Sequence, residues 1–173
     1  MICKNLFIAG AGALLTLTAG CATPGLSAAP DVHRFLVSVR DNDRAAFDAH
    51  VDRRALEGQL RGRIASEARR APIPEALKPF SVLLAGPLSQ LAGDVLIRPD
   101  VFRWVAESYG YRPSDLLPTT LTLAVSLKPL SDNEVCAQRA RGAECLLTFA
   151  KEGDTWRLVG FDGDMAMLRG DRR

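Results

Sequence analysis

The chain has 173 residues, 47% of them hydrophobic and 24% charged, with a formal net charge of +2. That length and balance fit one globular domain with its own core and exclude a largely disordered chain. Charges of both signs are interspersed at near-neutrality, which excludes a concentrated basic face for nucleic acid.

The first 20 residues follow the three-part plan of a secretory signal. Lys4 supplies a positive start, residues 6–17 are apolar, and Thr18-Ala19-Gly20 is a small-residue region before Cys21. The apolar stretch falls short of the ~20 residues needed to span a bilayer. Leu17 to Cys21 resembles a bacterial lipoprotein processing site, with Thr18 departing from the aliphatic residue usual at that place. The resemblance implies cleavage before Cys21, acylation of Cys21 with palmitate-type chains, and a location at the cell envelope. Ala22 after the cysteine implies the outer membrane, facing the periplasm. Cleavage after Ala22 is the alternative, and it would give a soluble periplasmic protein. Residues 21–30 are small, uncharged and contain proline and glycine, so they read as a flexible tether. A single α+β domain is expected over residues 31–173.

Four cysteines divide by processing: Cys3 leaves with the signal, Cys21 is modified, and Cys136 and Cys145 remain as one even pair. Outside the cytoplasm that pair is expected to be oxidised. A hairpin centred between Ala140 and Arg141 would set 136 directly opposite 145, at a separation a disulfide spans.

After the tether, Val32, Phe35, Leu36 and Val39 recur at helical spacing, with Asp31 as the cap after Pro30. Asp41-Asn42-Asp43 interrupts this helix, Asp43 caps a second short one, and Asp52 caps a third. The third carries Leu56, Leu60 and Ile64 as a narrow stripe. Its arginines, 53, 54, 61, 63, 69 and 70, outnumber Asp52, Glu57 and Glu67 by three. A solvated face is the ordinary reading of that surplus, beside attraction to anionic headgroups.

Residues 72–97 are the most apolar part of the mature chain, cut into short helical pieces by Pro79 and Gly86-Pro87. They read as core, or as broken helices lining a site for an apolar ligand or a partner. Leu84, Leu88 and Leu91, with Trp104 from the next helix, are the candidate ligand-binding residues. Pro99 opens that next helix, with Val101, Trp104 and Val105 on one face and Gly110 as its stop. Tyr109 and Tyr111 lie in the loop that follows.

Leu121, Leu123, Val125 and Leu127 alternate with polar or small residues, which predicts a strand. Residues 135–138, 144–151 and 155–161 predict three more strands, the last two joined by a Gly153-Asp154 turn in an antiparallel meander.

Catalytic and metal chemistry is not signalled. His33 and His50 sit on different helices without further ligands at metal spacing. Asp162-Gly163-Asp164 lacks the remaining ligands of a calcium loop, and Arg169-Gly170-Asp171 is a tripeptide short enough to arise by chance. Asp94, Asp100 and Glu107 are scattered carboxylates. No cofactor or metal is expected.

The signal, the turn at residues 41–43, Val51-Asp52 followed by Leu56 and Leu60, Pro99 opening a helix, and Trp156-Arg157-Leu158-Val159 occur together. In this the chain resembles an uncharacterised family of small proteobacterial envelope proteins, classified as a domain of unknown function. Arg53-Arg54 departs from the aromatic and proline common there, and the resemblance carries over no catalytic residues. More distantly, helices followed by a meander ending Trp-Arg-Leu-Val resemble cystatin-like cone folds, which implies only an architecture.

The expected fold is therefore α+β, with four or five short helices packed on one face of a three- or four-stranded antiparallel β-meander. The expected function is a non-enzymatic, membrane-anchored binding module for an envelope protein or an apolar ligand. The alternatives are a small carboxylate-based enzyme with a cone-like cleft and a soluble periplasmic ligand carrier.

Overall fold

The computed structural model describes residues 23–70, 93–140 and 142–162. Helices α1 (Pro24–Asp41), α2 (Arg44–Ala49), α3 (Arg53–Arg70), α4 (Pro99–Ser108) and α5 (Thr120–Ser126) precede four strands. These are β1 (Lys128–Ser131), β2 (Glu134–Gln138), β3 (Cys145–Glu152) and β4 (Thr155–Phe161), paired antiparallel in the order β1-β2-β3-β4. The α+β class and the meander are as the sequence predicts.

Helix α1 begins at Pro24, so residues 24–30 are not a tether. Pro24 stands in the first turn, where its missing N–H costs nothing. Gly25, Ala28, Ala29, Val32, Phe35 and Val39 then form one buried stripe, and Ala28 and Ala29 are almost wholly buried. Pro30 sits inside the helix on its exposed side and removes one backbone hydrogen bond. Burial of the small-residue face on both sides of it offsets that loss. Gly25 is required by contact: a Cβ there would lie 2.6 Å from the Ala124 carbonyl oxygen of α5.

The turn at residues 41–43 forms as the polar triplet predicts. Asn42 takes a left-handed conformation, the Asp43 N–H donates 2.9 Å to Ser38 O, and Asp43 Oδ1 accepts the Ala46 N–H at 3.0 Å. Asp52 caps α3 by accepting the Ala55 N–H at 3.0 Å.

Residues 120–126 are helical, where alternation predicts a strand. Thr119 caps the helix by accepting the Thr122 N–H at 3.2 Å. Of the four alternating aliphatics only Leu123 and Leu127, four apart, are buried, whereas Leu121 and Val125 are 71% and 70% exposed. In so short a run the residues at i and i+4 satisfy both periods, and packing of α5 on α1 selects the helix. The first strand is instead Lys128–Ser131, a short edge whose Lys128 and Pro129 discourage further pairing.

Cys136 and Cys145 form the expected disulfide, with Cα atoms 5.6 Å apart. The register differs from the expected one, since Cys136 pairs with Thr148 and Cys145 with Gln138. An irregularity between Ala137 and Gln138 and a loop of residues 139–144, in which Gly142 has a positive φ, account for the shift.

The core lies between the helices and one face of the sheet. Val135, Phe149 and Leu158 make a cross-strand row on that face. Phe149 meets Phe35 at 5.5 Å between ring centroids, and contacts at 5.3–5.9 Å extend the cluster through Phe47 and Phe102 to Phe161. A bulge at Thr148/Phe149 pairs Phe149 with Leu158 but Thr148 with Gly160. Val159 is thus the extra residue, and Phe161 rather than Gly160 continues the inward row.

Asp31 is the buried carboxylate of α1. Its Oδ2 accepts the Trp156 N–H of β4 at 2.9 Å, and its Oδ1 accepts from Arg34 at 2.7 Å. Asp31→Ala would leave that buried N–H unsatisfied and should lower stability by about 2–3 kcal/mol, with Asp31→Asn costing less because its amide oxygen still accepts. Urea unfolding midpoints at constant slope measure this. A loss for Asp31→Ala within ~0.5 kcal/mol, the range of ordinary surface changes, would contradict the role.

At the end of β3, partial desolvation and then a hydrogen bond with the Asp52 carboxyl push Glu152 above the ordinary carboxylate range, against the opposing pull of Arg157 at 3.4 Å. A raised folded-state pKa means the native state holds the proton more tightly. The stabilisation is complete below the ordinary value of about 4.5 and is lost as pH rises through the folded-state value. Glu152→Gln is therefore expected to raise Tm relative to the parent at neutral pH and to match it at pH about 3.5. An equal Tm difference at both values would contradict the assignment.

Candidate functional site

An apolar recess opens where α3, α4 and the end of β4 meet. Leu56, Leu60, Leu96, Ile97, Val101, Phe102, Val105 and Phe161 wall it, with Gln59 and Arg63 on one side, around a volume of about 80 Å³. Each wall has a local cause. On α3, Leu56 and Leu60 repeat at i, i+4 beside Gln59 and Arg63, which repeat at the same interval. On α4, Pro99 starts the helix and sets Val101, Phe102 and Val105 towards α3, while the bulge in β4 aims Phe161 inward.

The two polar residues are held by the protein itself. Gln59 Oε1 accepts the Phe161 N–H at 3.0 Å and its Nε2 donates to Asp162 at 3.2 Å. Arg63 donates to the Phe161 carbonyl at 2.8 Å and pairs with Asp162. Arg53 likewise spans from Asp48 to the Ile97 carbonyl, 2.8 Å away, and fixes the start of α4 against α3. Part of the arginine surplus on α3 is thus structural, joining helix to sheet and helix to helix.

A second cluster joins a carboxylate to an imidazole. His50 Nε2 lies 3.7 Å from Asp31 Oδ1, and His50 Nδ1 donates to the Ala46 carbonyl at 2.9 Å. With Nδ1 donating to a carbonyl and Nε2 turned to Asp31, both ring nitrogens face protein groups. A histidine so placed orients α2 against α1.

Of the sequence-predicted ligand residues, Trp104 is 49% exposed and does not line the recess. The inward face of α4 runs through Val101, Phe102 and Val105 instead, because Phe102 is drawn into the aromatic cluster. Leu84, Leu88 and Leu91 lie outside the described residues, as do the signal, Cys21 and the tripeptide at residues 169–171. Asp100 pairs with Arg98 at 3.1 Å and Glu107 with Arg103 at 3.9 Å, and neither reaches the recess. Arg139 stacks on Tyr109 at 5.0 Å, so that tyrosine packs the 139–144 loop. Sequence reading missed Gln59, Arg63 and Phe161. The i, i+4 pair on α3 was visible, but its strand partner depends on a bulge with no local signature.

Among the described residues no group of three or more His, Cys, Asp or Glu is arranged to hold a metal ion. No described helix is long and apolar enough to cross a membrane. No curated protein and no solved structure matches the chain. A family match does cover residues 14–104, more than half of the 173. It takes in the turn at residues 41–43, the Val51-Asp52 pair, Leu56, Leu60 and Pro99, and through it the chain belongs to the family described as "Protein of unknown function (DUF2939)".

Proposed function

We propose that this chain is a bacterial envelope lipoprotein, anchored through an acylated Cys21, whose body is a non-enzymatic module that takes one apolar group of a partner or ligand into the recess between α3, α4 and β4. The recess is the observation that carries the binding reading. Among the described residues its walls are apolar apart from Gln59 and Arg63, both of which already bond β4 or Asp162. Its size decides between occupants. An apolar cavity of about 150 Å³ accommodates benzene, so a recess of about 80 Å³ suits an aliphatic side chain or the end of an acyl chain rather than a whole lipid. The hydrogen bond of His50 Nδ1 to the Ala46 carbonyl and the partial burial of the ring beside Asp31 support a non-enzymatic reading. The signal-like residues 1–20 and the small residues before Cys21 support the anchor.

Xenon, which enters apolar cavities, is the probe for the recess. Saturable shifts of the Val101 and Val105 methyl resonances under xenon, abolished by Val105→Phe, are the expected result; absence of shifts there would overturn the binding reading. The anchor is tested by intact mass from the native envelope. Acylated Cys21 as first residue is expected, and an unacylated chain beginning at Thr23 would make the protein a soluble periplasmic carrier.

A further inference from the structure

We infer that the junction of α1 and α5 is a lipid-contacting face, which rests flat on the membrane that holds the Cys21 anchor. The inference rests on the anchor reading above and adds to it a specific surface. Because α1 starts at Pro24, only Ala22 and Thr23 separate Cys21 from the folded body. Two residues span roughly 7 Å, so an acyl anchor at Cys21 holds the first turn of α1 at the headgroup layer.

The surface at that turn suits such a place. Gly25 abuts the Ala124 carbonyl, so the start of α1 lies against α5. Leu26 is 55% exposed, Leu121 71%, Val125 70% and Leu116 97%. Residues 22–30 contain no charge, nor do residues 116–127, a run bounded by Asp115 and Lys128. Scattered exposed leucines are ordinary, but two uncharged stretches of this length, which include the start of α1 and all of α5 with the loop before it, are not.

The polar groups of this face are already prepared for a drier medium. The Ser27 hydroxyl donates to Pro24 O, and that of Ser126 to Thr122 O at 2.6 Å. The Thr119 and Thr122 hydroxyls bond each other at 2.9 Å. Hydroxyls satisfied within their own helix lose little on leaving water, which is how serine and threonine are tolerated at apolar depth. Lys128 and Arg139 border a groove that begins at Val125, giving rim cations that anionic headgroups attract and that outnumber the one carboxylate of the same loop, Glu144.

The test uses the mature lipidated protein in vesicles of phosphatidylethanolamine and phosphatidylglycerol. With Cys21 acylated and Cys136 bonded to Cys145, Leu121→Cys, Val125→Cys or Asp154→Cys each supplies one thiol for a bimane label. Asp154 lies in the β3–β4 turn, at the opposite end of the sheet from the α5–β1 junction. Acyl-brominated lipid is expected to quench labels at 121 and 125 on the order of twofold and to leave the label at 154 unchanged. Equal quenching at all three positions would overturn the face. Loss of iodide access at 121 and 125 without bromolipid quenching would mean that a protein covers it, which also overturns the lipid assignment. No quenching by a protein whose mass shows acylated Cys21 rejects the face and leaves the anchor standing. A mass without acyl chains rejects the anchor and, with it, this inference.

Discussion

The outer edge of β4 presents backbone groups that no other strand among the described residues covers, and the helical half of the chain supplies their partners. The Trp156 N–H goes to Asp31 of α1. Leu158 bonds in both directions with the turn before α3, its N–H to His50 O and its carbonyl from the Asp52 N–H, each at 2.9 Å. The Phe161 N–H and carbonyl go to Gln59 and Arg63 of α3. An open strand edge is a template for association. Here α1, the turn before α3 and α3, each 98–125 residues away in sequence, close it with hydrogen bonds of defined length.

That closure fixes where the helices stand. Gln59 and Arg63 hold α3 beside β4 through polar side chains, while Leu56, itself part of the core, and Leu60 face α4 across the recess. The bulge at Thr148/Phe149 is part of the same arrangement. Inserting Val159 turns the Phe161 amide outward to Gln59 and its ring inward to Phe102. The recess is therefore a consequence of how the sheet edge is sealed. Residues with catalytic potential by type, Asp31, His50 and Arg63, are occupied in sealing it or in orienting the helices that do.

What the sequence made legible was local. Asp43 and Asp52 act as caps through contacts three residues away, the Gly153-Asp154 turn joins β3 to β4 as expected, and β4 runs from Thr155 to Phe161. The cysteine pairing followed from counting, whereas the register around it did not, because bulges and a six-residue loop are set by packing. Residues 24–30 looked like a tether, since small residues and prolines mark loops in isolation. Against α5 the same smallness allows helices to approach closely. The run from Leu121 to Leu127 failed for a related reason, as seven residues cannot separate a period of two from one of 3.6 without knowing which aliphatics find a neighbour. On α4, Trp104 lost its expected inward place to Phe102 because the aromatic cluster lies on that side.

The dependence of the fold on the sealed edge is measured most directly by native-state hydrogen exchange at the Trp156, Leu158 and Phe161 amides. If side chains and backbone of α1 to α3 close that edge, these amides exchange only through opening of the helical layer, with protection close to that of the β3–β4 pairs such as Phe149. Exchange at the rate of an exposed strand edge, with Phe149 still protected, would show that the helices merely lie near β4 and would contradict the account.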